Sequence, residues 1–500
     1  MKKQEIERLV EIEKRIKEIA EESGLLTTEI AFEVTTAQRV LEGMAYEFPV
    51  NFSHWTFGRD YEKYRTIYEH TGTGIPYEQV WNFDKPKAFL VETNPFALNV
   101  LVIAHVYGHV DFFLANRYLK HGRSFSNVVE EARNASKRFK EYEAHYGQKE
   151  VEKVIDAGMS IQWHQNPDPF FEEQDEEVVR GRLMSLERAK LERFEDLKSK
   201  FKKPETKEEV AQIEKRLEKL TTKTPPEPTY DILNYIIKKS PKPLKPWMVD
   251  VLTVIRNQAR SLAPNRKTKG LNEGWATYWH VKIMRRLFKD GLITPEEHGI
   301  FNDFHSSITQ ENKAGFNWYR IYLALFENIK ERWDKGQFGR DYEEEKNVFK
   351  HSRWDTAAGL GNQKIFEVRS FYSDRMAVEE LFTDEFIREQ QLYIWMGMSG
   401  ENGEVIYIIA EDDPEVIREI LKEQFTYYGV PLVRVENGNH NSQNHLLLKH
   451  VWNGYDLDSK YMNATLEKIH YLWGGKVFLE TRVENKETIV TFDYNNKKKK

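Results

Sequence analysis

Two segments of this chain carry side chains that could share one metal ion. The first is Ala104-His105-Val106-Tyr107-Gly108-His109-Val110-Asp111-Phe112-Phe113. Histidines four apart lie on one face of a helix and can grip a single ion. The second is Leu271-Asn272-Glu273-Gly274-Trp275-Ala276-Thr277-Tyr278-Trp279-His280. Glu273 would complete a two-histidine, one-carboxylate set, the donor set of hydrolytic zinc sites that keep one position open. Gly108 lies between the two histidines, where glycine costs a helix about 1 kcal/mol relative to alanine. Close approach of another backbone would account for it.

Each of these residues also has a plainer reading. A lone histidine in an apolar helix is ordinarily a core residue; the i, i+4 pair is what points to a metal. Glu273 stands among Trp275, Tyr278 and Trp279, where an unpartnered carboxylate is costly to bury. Its alternative is a charge at a helix N-terminus capped by Asn272. Asp111 lies off the histidine face. It either orients an imidazole from behind or pairs with an arginine such as Arg117.

Three groups are candidates for proton transfer: His54, Asp111 and His280. Glu273, Thr277 and His280 recur at i, i+4 and i+7 and so line one helix face. His280 is then a proton donor near the metal or a half-buried surface residue. His54, in Ser53-His54-Trp55-Thr56-Phe57, is a general acid or base facing the metal from another element, or a loop histidine packed between Trp55 and Phe57. The expected geometry puts the Glu273 carboxylate within about 5 Å of both imidazoles, near enough for one ion at roughly 2.0–2.2 Å. His54 is expected to approach the same cleft.

The elements that must position these groups are mostly helical. Ile6, Leu9, Val10, Ile12, Ile16 and Ile19 recur at helical spacing near the N-terminus. Asn94-Pro95 opens the apolar helix of His105 and His109. A helical run is expected from Asn127 to Ile161; its Glu130, Glu131, Glu141 and Glu143 lack the Glu-x-x-His pairs of a di-iron bundle and read as a solvated face. Residues 172–224 are rich in Glu, Lys and Arg with sparse Leu, and read as an exposed helical insertion. Past residue 390 the pattern changes: Gly400-Glu401-Asn402-Gly403 signals a hairpin, and short strands alternate with helices at 413–427 and 465–473. The fold class is therefore mainly α, a helical body over residues 1–390 with a small α+β domain over 391–500. His298, His305, His351, His440, His445 and His470 lack ligand spacing.

Composition narrows the function classes. The chain has 500 residues, 40% hydrophobic and 31% charged, with a net charge of −6. That balance gives no support to nucleic-acid binding. There is no cysteine, so any transition metal is held by His, Asp or Glu. The N-terminus lacks the apolar core of a signal peptide. The apolar stretch Phe96–His105 is about half a membrane span. A cytoplasmic protein without a membrane partner is expected.

Asn272-Glu273-Gly274-Trp275-Ala276-Thr277-Tyr278 resembles the Asn-Glu-Gly-Phe-Ala-x-Tyr segment of zincin aminopeptidases, whose Glu is the third zinc ligand. Those enzymes precede it with His-Glu-x-x-His, the Glu serving as general base. This chain has Val106 in that place, and a far longer gap from His109 to Glu273. Asn51-Phe52-Ser53-His54-Trp55-Thr56-Phe57-Gly58, the His105–Phe113 segment and the Asn272–His280 segment, in this order, look like the SpoVR (stage V sporulation protein R) family. Glu367-Val368-Arg369-Ser370 and Leu447-Leu448-Lys449-His450 fit it too. These resemblances imply a zincin-like helical body and a zinc-dependent amide or peptide hydrolase linked to spore-cortex formation or stress response, with a peptide or cell-wall-derived substrate. They also imply association with a serine protein kinase and a companion protein of von Willebrand type. The alternative is a non-catalytic regulatory or scaffold protein with a structural or vestigial metal site.

Overall fold

The computed structural model describes residues 1–45, 52, 54–71, 78–83, 85–123, 128–201, 205–399, 404–484 and 486–493. It is mainly helical, with a small sheet domain toward the C-terminus. The chain forms two units, each discontinuous in sequence: residues 1–136 with 262–428, and 137–261 with 429–500.

The first unit is built on helix Phe96–Ala115. Asp111 is its only charged side chain, and its residues are buried all the way round. A helix apolar on every side belongs in a core. It begins after Pro95, whose ψ of 147° is extended, and stops at Asn116, extended at ψ 130°. The apolar run is thus longer than the Phe96–His105 stretch expected from sequence. By length and mean hydropathy it could cross a membrane, but 94% of its most apolar window is buried within the protein, as in a core helix.

Helix Lys3–Glu22 lays Leu9, Ile12, Ile16 and Ile19 against this core. Helix Pro295–Ile308 packs on it as well. Helix Lys269–Lys289 packs on Phe96–Ala115 and on helix Trp318–Lys335, which in turn contacts helix Gly361–Phe371. A three-stranded sheet belongs to the same unit. Lys87–Val91 is its middle strand, parallel to Ala31–Thr35 (Glu33 opposite Phe89) and antiparallel to Glu78–Trp81. Strands Ile394–Ser399 and Val405–Glu411 form the expected hairpin; its turn, 400–403, lies outside the described residues, as do Asn51 and Ser53.

The second unit contains the charged segment, which forms two helices packed on each other, Glu176–Phe201 and Glu205–Thr222. The run expected over 127–161 is two helices, Val128–Tyr146 and Gln148–Ile161. Gly147 stands between them at φ 90°, a conformation that stops a helix and that glycine adopts without strain. The sheet of this unit runs Val433–His440, His445–His450, Val477–Val483, Lys486–Phe492 in sequence order. Its middle pair is parallel and the outer pairs antiparallel. The parallel pair requires a crossover, supplied by helix Ser459–Trp473, which packs on Gln148–Ile161.

Candidate metal centre

Two helices of the first unit position the site. On Phe96–Ala115, His105 and His109 project from one face, their rings 4.6 Å apart and nearly perpendicular. On Lys269–Lys289, Glu273 lies in the first turns. That helix begins at Lys269 with Thr268 at its cap position, so Asn272 is inside it and is not its cap. The first amides are satisfied from far along the chain: Gly270 and Leu271 each donate to the buried Asp374 carboxylate at 2.8 Å. The first amides of a helix have no partner within it, and an acceptor brought from elsewhere satisfies them. The two helices touch at Gly108, where an added Cβ would lie 2.6 Å from Ala276 Cα.

This contact brings the three expected ligands together. Glu273 Oε2 lies 3.5 Å from His105 Nε2 and 3.5 Å from His109 Nε2. One donor atom from each residue falls within 4.8 Å of the others. Donors bound tetrahedrally at about 2.1 Å stand roughly 3.4 Å apart, so the spacing suits one ion. Glu273 Oε2 is buried and accepts no hydrogen bond, a costly state that a cation relieves. The histidine side chains are 0% and 3% exposed and that of Glu273 18%, so what access there is lies on the carboxylate side.

The far nitrogens are held. His109 Nδ1 donates to Asn272 Oδ1 at 2.9 Å, which leaves its lone pair on Nε2, facing Glu273. His105 Nδ1 lies 2.8 Å from His280 Nδ1. Burial pushes the Glu273 carboxyl up, but the His105 and His109 rings and the Lys269 ammonium outweigh this and hold it below its ordinary value. Burial, with the neighbouring His105, His305 and His109 rings, holds His280 well below its ordinary value and so neutral at pH 7.

The family model for SpoVR like protein matches residues 3–430, and that for the SpoVR-like C-terminal domain matches residues 431–484. The chain belongs to the SpoVR family. It is 24% identical over 468 residues to "Uncharacterized protein YcgB" of Escherichia coli (strain K12), covering 91% of this chain and 88% of that one. No solved structure matches it.

The three proton-transfer candidates of this SpoVR chain sit in different surroundings. His280 is beside His105, one imidazole removed from Glu273. Asp111 accepts from Leu26 N at 2.7 Å, Trp275 Nε1 at 2.8 Å and Arg369 at 2.6 Å. No imidazole is among these partners, and the arginine is Arg369, not Arg117. Burial pushes its carboxyl up, against the pull of Arg369, the Leu26 amide and Trp275. Asp111 thus ties both site helices to helix Gly361–Phe371. His54 is buried just before helix Trp55–Thr71, its Nδ1 2.7 Å from Thr56 Oγ1 and its ring against Trp55 and Phe57. Val106 is fully buried in the apolar core. Two contributors are not apparent from the sequence. His305 lacks ligand spacing along its own helix, and Asn272 reads there only as a cap. Their roles depend on contacts between helices, which spacing along one helix does not encode.

Proposed function

We propose that this SpoVR protein is a zinc-dependent hydrolase of amide or peptide bonds, with His105, His109 and Glu273 holding the metal. The observation that carries this is the position of Glu273 Oε2, 3.5 Å from Nε2 of both histidines and without a hydrogen bond of its own. Zinc in such a set polarises a scissile carbonyl and lowers the pKa of water to about 7. The chain's own residues bring the Nε2 atoms of two imidazoles and one carboxylate oxygen to a single point. Asp111 is engaged by three donors and His280 at both ring nitrogens by His105 and His305, so proton transfer falls to His54 in this reading. The family's link to sporulation suggests a peptide or cell-wall-derived substrate, a cytoplasmic setting, and a serine protein kinase and von Willebrand-type protein as companions.

One observation favours a second reading. The position that carries the general base in zincins is Val106, packed in the core. A metal held for structure, in a regulatory or scaffold protein, needs no base. Peptide and muropeptide hydrolysis by the purified chain, before and after chelation and zinc readdition, separates the two. Turnover that disappears with chelation, returns with zinc and is absent in Glu273→Gln supports the hydrolase. Zinc that raises thermal stability without any turnover supports the structural site.

A further inference from the structure

Behind His105 two more imidazoles stand in file. His105 Nδ1 lies 2.8 Å from His280 Nδ1, and His280 Nε2 lies 3.2 Å from Nδ1 of His305, on helix Pro295–Ile308. His105 and His280 are fully buried, while His305 is half-buried. The Phe301 ring flanks the second and third members, edge-on to His280 and stacked near His305, which limits how those rings can turn.

A neutral imidazole has one donor and one acceptor, so the file must run in one direction. In one direction His105 Nδ1–H donates to His280 Nδ1, and His280 Nε2–H donates to His305 Nδ1. His105 then presents a lone pair at Nε2, beside Glu273. In the other direction every hydrogen shifts to the opposite nitrogen and His105 Nε2 carries a hydrogen, which blocks a metal. His109 has no such ambiguity, because an amide oxygen only accepts and Asn272 fixes its tautomer alone. His280 cannot fix His105 alone, since its Nδ1 can donate or accept. Its own orientation is coupled to what faces its Nε2, His305 Nδ1, and the direction in which His305 accepts is the one that leaves His105 Nε2 open to a metal.

We infer that His280 and His305 are positioning residues for the candidate metal centre, acting together to hold His105 with its hydrogen on Nδ1 and its lone pair on Nε2. This rests on reading His105, His109 and Glu273 as metal ligands. It gives a role to His305, which reaches the ligands only through His280.

The test uses the full chain labelled with ¹⁵N-histidine, with Zn²⁺ as the probe. In the wild type, the ring nitrogen shifts of His105 report hydrogen on Nδ1 and those of His280 hydrogen on Nε2, assigned by comparison with single histidine substitutions. His305→Phe removes the terminal acceptor at a half-buried position. It lowers Zn²⁺ affinity, measured by chelator competition, by about 10- to 100-fold, the usual effect of losing a group that orients a ligand. His305→Gln, whose carbonyl can accept, restores most of the loss. His280→Phe costs at least as much, and should it fail to fold, the His305 pair decides. Unchanged affinity in His305→Phe, or hydrogen on His105 Nε2 in the zinc-loaded protein, overturns the inference. A wild type that binds no Zn²⁺ defeats the metal reading instead. The tautomers of the zinc-free protein then still decide the file: hydrogen on His105 Nδ1 upholds its direction, and hydrogen on Nε2 overturns it.

Discussion

Gly108 packs directly on Ala276 where the two helices that carry the site meet: a Cβ on Gly108 would lie 2.6 Å from Ala276 Cα and 3.2 Å from Ala276 Cβ. Backbone at that distance cannot yield as a flexible side chain can. Alanine at 108 therefore forces the helices apart and moves Glu273 away from both histidines. Gly108→Ala is expected to lose about 1–3 kcal/mol to overpacking, outweighing the roughly 1 kcal/mol of helix propensity it gains, and to weaken Zn²⁺ binding. Gly181, in helix Glu176–Phe201, has nothing within 4 Å of its Cβ position. Gly181→Ala is expected to raise the melting temperature. Thermal melts of the two variants should move in opposite directions.

Asp111 and Arg369 form a buried ion pair at 2.6 Å, with side chains 0% and 10% exposed. Removing one partner strands a charge, a loss of about 3–5 kcal/mol in such pairs. Arg369→Met is expected to destabilise on that scale. The double substitution Asp111→Asn, Arg369→Met removes the stranded charge while Asn keeps an acceptor for Leu26 or Trp275. It should be more stable than Arg369→Met alone. Denaturant unfolding followed by fluorescence checks the order. A double variant weaker than the single one would show that the loss in Arg369→Met comes from packing and not from a stranded charge.

Much of the site was legible because it lies on helices with strong local signals. His105 and His109 are placed by a spacing of four on an apolar helix opened by Pro95. Gly108 announced a close neighbour, which is Ala276. Glu273 stood out as a carboxylate among aromatics. What was not legible came from elements distant in sequence. Asp374 satisfies the amides of Gly270 and Leu271, so the local candidate Asn272 is not the cap and is free to hold His109. Arg369, not the nearby Arg117, neutralises Asp111. His305 meets His280 only because helices Pro295–Ile308 and Lys269–Lys289 pack on the same core helix. The break at Gly147 is hidden because the apolar pattern resumes on its far side; only its backbone dihedral interrupts the helix.

Asp374 gives stability a pH dependence of defined sign. Burial pushes its carboxyl up to about 7, against the amides of Leu271 and Gly270 and the nearby Tyr322 hydroxyl. An unfolded chain has the group near 3.9. Between about pH 4 and pH 7 the folded protein therefore holds a proton that the unfolded chain releases. The stability from this group is complete below pH 4 and is lost as pH rises through 7. Asp374→Asn does not titrate. The margin by which the wild type melts above Asp374→Asn should thus be larger at pH 5 than at pH 8. A margin that grows with pH would mean that the carboxylate is ionised throughout and that its amide bonds outweigh burial.

Metal analysis combined with X-ray absorption tests the centre most directly. The purified, zinc-titrated chain is expected to hold one divalent ion, ligated by two imidazole nitrogens and a carboxylate oxygen at about 2.0–2.2 Å, and to lose it in both His105→Ala and Glu273→Ala. An ion that survives either substitution, or a wild-type chain that takes up none, would contradict a centre formed by His105, His109 and Glu273.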